Sequence, residues 1–488
     1  MNNRDWCLIN DPDFEEMVRN SLPDSPPDDV AHEVTPWRTA TDRALVGLTL
    51  NLLTLNFLRL NYILPTIGII CMLLGFRTLR RENGWFRGCY VLTILRAVSY
   101  FPLLVLNATI YQKTVYALPF FSVLTALNTG IGFALIVCLG NGFRAVQRKS
   151  GLPAHAGGAI ALIVWYALIC LLGLLQYSGI ILGVGLIAAY IFCIRALFKL
   201  SKELDEAGYA VQAAPVRVRD RPLVGVILAL LAVGIAGGYL FLNRYPMEWT
   251  AVEASGHAQV EEVKTQLASL GFPEEILDDL TAGDIQACEG ALRVVVDVHD
   301  SSVGRDDVPM LRITGIAVEL PGEREQWKLF HHFRWLEDPG FYGTESIQLW
   351  PADYSEGWSL VGEVSGQVLC TKDGLTYAAP YYSLDRETYT YNSILWGENT
   401  SDDIFAAFSM PGKGEEYRGY ISYAVREIQD GYLINSWVNY THQQTWRQYP
   451  VLTAKQQRIA NSWNEAGAFF TVQDAIQFFP TEGEPEFS

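Results

Sequence analysis

Titratable groups are scarce where this chain is most apolar. Between Ala44 and Leu242 the only acidic residues are Glu82, Glu203, Asp205, Glu206 and Asp220, and the only histidine is His155. All fall in the polar breaks between apolar runs. Ion-coupled carriers, proton relays and intramembrane aspartyl or zinc proteases need carboxylates or imidazoles at membrane depth. That scarcity argues against all of them. Cysteine is thin beyond the last apolar run: Cys7, Cys71, Cys89, Cys138, Cys170 and Cys193 precede it, and only Cys288 and Cys370 follow. Neither sits in a CxxC pair or a Cys/His cluster, which removes support for zinc or dithiol chemistry. In an oxidising compartment these two can form one disulfide or remain separately buried thiols. No GxSxG, SxxK, HExxH or Walker A sequence occurs. No signal peptide is expected either, because the first apolar run starts only near Ala44.

What the chain does have is long apolar runs. Pro222–Leu242 contains 21 residues without a charge, bounded by Arg221 and Arg244. A helix of that length, rising about 1.5 Å per residue, crosses a hydrocarbon core of roughly 30 Å. Cys89–Leu106, Ala117–Leu139, Ala159–Leu175 and Ile180–Phe198 are further candidate spans. Ala44–Phe76 is too long for one span and holds Arg59, Asn61 and Pro65 near its middle. A hairpin of two helices, 44–60 and 62–76, puts Arg59 at an interface, where a single kinked helix would leave it at the bilayer centre. The expectation is about 7 spans in a helical multi-pass membrane domain over 44–243. Arg96, the other charge inside a span, is expected to snorkel.

Basic residues set the expected orientation. Thirteen Lys/Arg occupy three alternate loops (Arg77 to Arg87, Arg144 to Lys149, Arg195 to Arg221), against Arg59 and Lys113 in the others. By the positive-inside rule the basic loops and the N-terminus are cytoplasmic, and everything beyond Leu242 is outside the plasma membrane. Small residues at four-residue spacing, Gly179/Gly183 and Gly234/Gly238, allow close helix approach, within the chain or in a homo-oligomer through Gly234/Gly238.

The flanking segments differ. Residues 1–43 carry 4 Lys/Arg against 10 Asp/Glu and read as a cytoplasmic acidic tail and linker. They hold a short amphipathic helix near Asp11–Val18, a flexible Leu22–Asp29 stretch, and a Thr35-Pro36 helix start with Trp37 at interfacial depth. Residues 244–488 carry 16 Lys/Arg against 38 Asp/Glu. So acidic a surface repels nucleic acid and anionic headgroups. Small helices are expected within 258–280, ended by Gly271 and restarted by Pro273. Beyond Gly290, short alternating runs rich in Val, Ile, Tyr, Phe and Trp predict a mainly antiparallel, sandwich-like β domain of α+β type. Asp373-Gly374 and Asp430-Gly431 are read as two-residue hairpin turns.

No catalytic, cofactor or metal set emerges. His331 and His332 are neighbours on a predicted strand, so they point to opposite faces and cannot share a metal. Asp300, Asp306 and Asp307 share a loop but lack calcium-loop order. Gly183-Val184-Gly185 imitates a dinucleotide fingerprint without its strand–turn–helix setting. Tyr381, Tyr382, Tyr389, Tyr391, Trp396, Trp437, Tyr440 and Trp446 can form a stacking face or, more simply, core.

Pro36-Trp37-Arg38, Leu64-Pro65 and Leu74-Gly75-Phe76-Arg77 followed by Arg81-Glu82-Asn83-Gly84-Trp85 resemble uncharacterised multi-pass membrane proteins of anaerobic Gram-positive bacteria. Gln429-Asp430-Gly431, Trp437 and Asn439–Gln443 are similar to ectodomains attached to some of them. The resemblance implies architecture only. The functional expectation is an integral membrane protein whose ectodomain binds a ligand, envelope component or protein partner, with possible signal relay. An uncoupled channel, permease or accessory subunit, and an ectodomain hydrolase, are the alternatives.

Overall fold

The computed structural model describes residues 36–52, 58–175, 179–209, 211, 214, 218–252, 258–302, 310–354, 357–393, 397–460 and 467–480. The expected N-terminal helix, the Leu22–Asp29 linker, Thr35, Asp306, Asp307 and Trp396 lie outside them, as does the Tyr391 side chain. Two compact units emerge: one from 1–105 and 114–233, the other from 106–113 and 234–488.

The helical unit comprises α1 (Pro36–Leu52), α2 (Leu60–Leu79), α3 (Gly84–Leu106), α4 (Gln112–Tyr116), α5 (Pro119–Lys149), α6 (Gly157–Leu174), α7 (Ile180–Glu206) and α8 (Asp220–Phe241), although α3, α4 and α8 run on into the other unit. Among the described residues, six of them (α2, α3, α5, α6, α7 and α8) are long and apolar enough to cross a membrane. At the place of the first expected span, α1 is described over 17 residues, and its first two turns carry Arg38, Asp42 and Arg43.

The 44–76 stretch does break into two helices. Arg59, with φ of 60°, stands exposed at the start of α2. Glycine sets how closely α1 and α2 pack. A Cβ on Gly68 would lie 2.7 Å from the Gly47 carbonyl, and one on Gly75 would lie 2.6 Å from that of Ala40. Backbone touches backbone along this seam, a contact that only small residues permit. Trp37 is fully buried against Phe86, Phe143 and Tyr209, and its indole N–H donates to the Ser201 carbonyl. Its place is the core of the helical unit. Arg96 interacts with Tyr166. Charged helix ends pair with one another: Lys149 with Glu82 at 2.5 Å and Arg43 with Asp220 at 2.9 Å.

The second unit is built on two antiparallel sheets. One runs β1 (Thr250–Ala251), β7 (Leu375–Pro380), β6 (Trp358–Lys372), β10 (Glu415–Glu427), β4 (Gln326–Trp335), β3 (Met310–Leu320), β2 (Arg293–Ser302). The other runs β12 (Phe469–Phe478), β11 (Ile434–Gln443), β5 (Glu345–Trp350), β9 (Gly397–Phe408), β8 (Ser383–Ser393). Alternation makes them a sandwich. Leu311, Ile313, Leu329, Phe333, Ile421 and Tyr423 of the larger sheet share one core with Ile347, Ile404, Phe408, Val438, Tyr440 and Ile476 of the smaller. Each such side chain contributes about 1.5–3 kcal/mol on burial. Gly315 makes the close approach possible, since a Cβ there would meet Ile476 at 2.7 Å.

Two turn expectations part ways. Asp373 and Gly374 both adopt positive φ and join Lys372 to its ladder partner Leu375, a tight hairpin. Asp430-Gly431 does not make one. β10 is already flanked by β6 and β4, so the chain crosses to the other sheet to form β11. Cys288 and Cys370 are both free and lie in different cores, on opposite faces of the larger sheet.

Candidate functional site

The outer face of the larger sheet is covered by α9 (Ala258–Ser269), α10 (Glu274–Leu277) and α11 (Ala282–Gln286). The strand β4 shows how. Its odd residues, Trp327, Leu329, Phe333 and Trp335, face the sandwich core, while Lys328, Phe330, His332 and Arg334 face the helices. Each of the four has its own partner: Lys328 meets Asp284 at 2.9 Å, Phe330 packs on Phe272, His332 meets Asp279 at 2.9 Å and Arg334 meets Glu275 at 3.0 Å. His331, on the other face, contacts the Ser436 hydroxyl across the sandwich at 2.7 Å. The two histidines are thus on opposite faces, as their adjacency requires.

Asp284 is the most heavily bonded of these acids. Its carboxylate accepts from Tyr420 (2.6 Å), Ser365 (2.5 Å), Ser422 (3.0 Å) and Thr281 (2.8 Å) besides Lys328. Burial pushes its pKa up, but Lys328 and the hydroxyl donors outweigh it and hold it down at about 2. Asp279 binds Arg418 at 2.7 Å as well as His332. On the outer face of the smaller sheet, Asp403 accepts from Tyr389 (2.7 Å), Trp350 (3.1 Å) and Ser401 (2.7 Å). These carboxylates serve the fold.

Among the described residues, most of the aromatics that could form a stacking face are used in the core or in pairs. Tyr381 and Tyr440 are core, Tyr389 is engaged by Asp403, Tyr382 stacks on Tyr245, and Trp437 leans on Trp350. Asp300 is held bidentately by Arg312 at 2.7 and 2.9 Å rather than kept for calcium. Gly183 has open space around it. Among the described residues no group of His, Cys, Asp and Glu is arranged to hold a metal.

A half-open cleft of about 590 Å³ is present among the described residues, within the size range of small-molecule sites. It lies at one end of the larger sheet, where the start of β3, the end of β4 and the start of β10 meet their loops. Arg312, Arg334, Trp335, Leu336, Glu337, Asp338, Glu415 and Tyr417 are among its lining residues. Both arginines are already matched, Arg312 by Asp300 and Arg334 by Glu275 and Glu416. Glu337, Asp338 and Glu415 are exposed and make no ion pair among the described residues. Tyr417 is 2% exposed, and its hydroxyl has no hydrogen-bond partner among the described residues. Burial pushes that phenol up to about 12, with the Asp338 charge adding to the effect. A Cβ on Gly414 would stand 3.2 Å from the hydroxyl, so Gly414 packs closely beside it. Arg244, just beyond the last apolar run, braces both bordering loops by donating to the Phe341 and Met410 carbonyls.

None of these lining residues carries a motif. A polar strand end followed by Leu336-Glu337-Asp338-Pro339-Gly340 reads simply as a turn.

No family model matches the chain, and no curated protein is similar to it. A solved structure titled "Pore forming protein" aligns with 41% of this chain and 96% of its own, at 8% identity and a TM-score of 0.20. Likeness at that level carries no weight for fold or function.

Proposed function

We propose that this chain is a multi-pass plasma-membrane protein that presents its acidic β domain outside the cell as a ligand-binding module, with the cleft beside Tyr417 as the binding site. Six membrane-length helices and the confinement of basic residues to alternate loops support the membrane placement. The observation that carries the binding reading is a cleft of ligand size, with Tyr417 among its lining residues. The saturation of Asp279, Asp284 and Asp403 by structural donors weighs against the hydrolase alternative.

The test is a thermal-shift screen of the full chain in a neutral detergent against cationic, neutral and anionic small metabolites. Leu336→Trp, which fills the cleft from its exposed rim, serves as the control. A compound that raises the melting temperature of the native chain but not of the variant supports the site. A panel without effect, or shifts equal in both proteins, sinks it.

A further inference from the structure

We infer that the loop around Trp446 is a membrane anchor: the Trp446 indole lies among phospholipid headgroups at the end of α8, and the Arg447 guanidinium beside it meets a lipid phosphate. This rests on the reading of α8 as a membrane span and is independent of the cleft.

Depth comes first. α8 ends at Phe241 and its apolar run at Leu242, and the Leu240, Phe241 and Leu242 side chains are all exposed. Tyr239 stands three residues short of Leu242, about 4.5 Å along the helix axis. Its hydroxyl donates to the Gln448 carbonyl, and its ring meets that of Trp446 edge-on at 6.0 Å. Trp446 is thereby held beside the last turn of the helix. The headgroup region on each side of the hydrocarbon core is roughly 5–8 Å deep, so an indole tied to that turn falls within it. Trp446 is 52% exposed. A ring with an apolar body and one N–H donor is suited to that level, where one end is dry and the other wet.

Charge sorting is a separate observation. Residues 244–488 carry 38 Asp/Glu, yet none occurs between Asp430 and Glu465. Other segments at the end of α8 lack them as well. The Ile110 amide donates to the Leu242 carbonyl, and neither 106–113 nor 221–247 contains an acid. What these segments do offer is basic. Lys113 and Arg447 are exposed and make no ion pair among the described residues. The Arg447 guanidinium sits 6.0 Å from the Trp446 ring. The repulsion of headgroups expected from so acidic a unit is therefore absent from these segments. A guanidinium with no carboxylate of its own suits a phosphate, which its planar fork of donors matches.

The experiment places the full chain in phospholipid nanodiscs whose lipid is brominated either close to the headgroup or near the chain end, since bromine quenches tryptophan at short range. The Trp446 signal is the emission of the native chain minus that of Trp446→Phe, which keeps a ring against Tyr239. Trp165, inside α6, is read the same way through Trp165→Phe and reports whether the helices enter the bilayer. Headgroup-proximal bromine should quench the Trp446 signal at least about twofold more than chain-end bromine does. Arg447→Glu should lower the melting temperature in nanodiscs and leave it unchanged in a maltoside detergent, which has no phosphate. Quenching of Trp165 without quenching of Trp446 overturns the anchor and leaves the membrane reading standing. If neither is quenched, both fall together. Chain-end bromine acting on Trp446 as strongly as headgroup-proximal bromine overturns the headgroup placement, and equal melting shifts of Arg447→Glu in the two media overturn the phosphate contact.

Discussion

The Val451 amide donates to the Asn107 carbonyl at 2.7 Å, joining residues 344 positions apart. Around this bond the Gln112 side chain donates to the Val451 carbonyl, and the Tyr239 hydroxyl donates to that of Gln448. The Ile110 amide reaches the Leu242 carbonyl at 3.0 Å, and Gly238 closes on Ala108, where a Cβ would meet carbon and oxygen at 3.0 Å. Residues 106–113, the link between α3 and α5, thus fold as part of the β unit. Gly238 is used within the chain here, whatever else Gly234 does.

Removing one strut should loosen this clamp measurably. Gln112→Ala leaves the buried Val451 carbonyl without its donor, at a cost of about 1–2 kcal/mol. Hydrogen exchange at the Val451 amide should speed up by roughly five- to thirtyfold, with exchange in β3 and β4 unchanged. Equal protection in both proteins would show that the bond does not hold the loop.

Asp284 and Lys328 form a buried pair that should be costly to break from one side. Asp284→Asn strands the ammonium under the helical layer and should lower stability by roughly 3–5 kcal/mol. Lys328→Met in the same background removes the stranded charge and should recover much of that loss. Melting of the full chain in detergent, followed by tryptophan fluorescence, gives both values. Equal losses in the single and double variants would show that the hydroxyl donors, not the charge, carry the network.

How far these features were legible in the sequence depends on which force set them. The apolar runs declare six helices because a membrane-length stretch has few other readings. Core strands such as β3 and β4 announce themselves by alternation. β8, Ser-Leu-Asp-Arg-Glu-Thr-Tyr-Thr-Tyr-Asn-Ser, does not, because its polar residues are satisfied across the ladder to β9 and by ion pairs such as Arg386 with Asp402. The helix-facing residues of β4 look like a solvent face; only the tertiary fold turns Lys328, His332 and Arg334 into anchors. Thr281 and Asp284 did hold a readable sign, a capping residue with an acid three places on. The cleft had none, since its residues come from three strand ends and two loops.

His331 should make the domain acid-sensitive well above the carboxylate range. Complete burial depresses its pKa from about 6.5 to about 3, so the unfolded chain takes up the proton first. Stability therefore falls as pH drops below about 6.5, and Asp284 adds a further loss only between about 4 and 2. Asp297 and Asp474, raised chiefly by burial, act in the opposite sense. His331→Gln keeps a group able to bond Ser436 but cannot titrate. Its melting temperature should fall less between about pH 6.5 and pH 4.5 than that of the native chain. Parallel curves would assign the acid sensitivity elsewhere.

Glycine offers a last discrimination, because the helices use it in two ways. At Gly68 a methyl group would sit 2.7 Å from the Gly47 carbonyl and 2.9 Å from the Asn51 amide, distances that backbone cannot absorb. Gly68→Ala should force α1 and α2 apart at a cost of about 1–3 kcal/mol and lower the melting temperature. Gly183 has nothing within 4 Å, so Gly183→Ala should leave an isolated chain unchanged or stabilise it by up to about 1 kcal/mol through helix propensity. A Gly183→Ala variant that melts earlier would mean that a second chain packs on that open face. Chemical crosslinking of the detergent-solubilised protein should then show an oligomer that the variant loses.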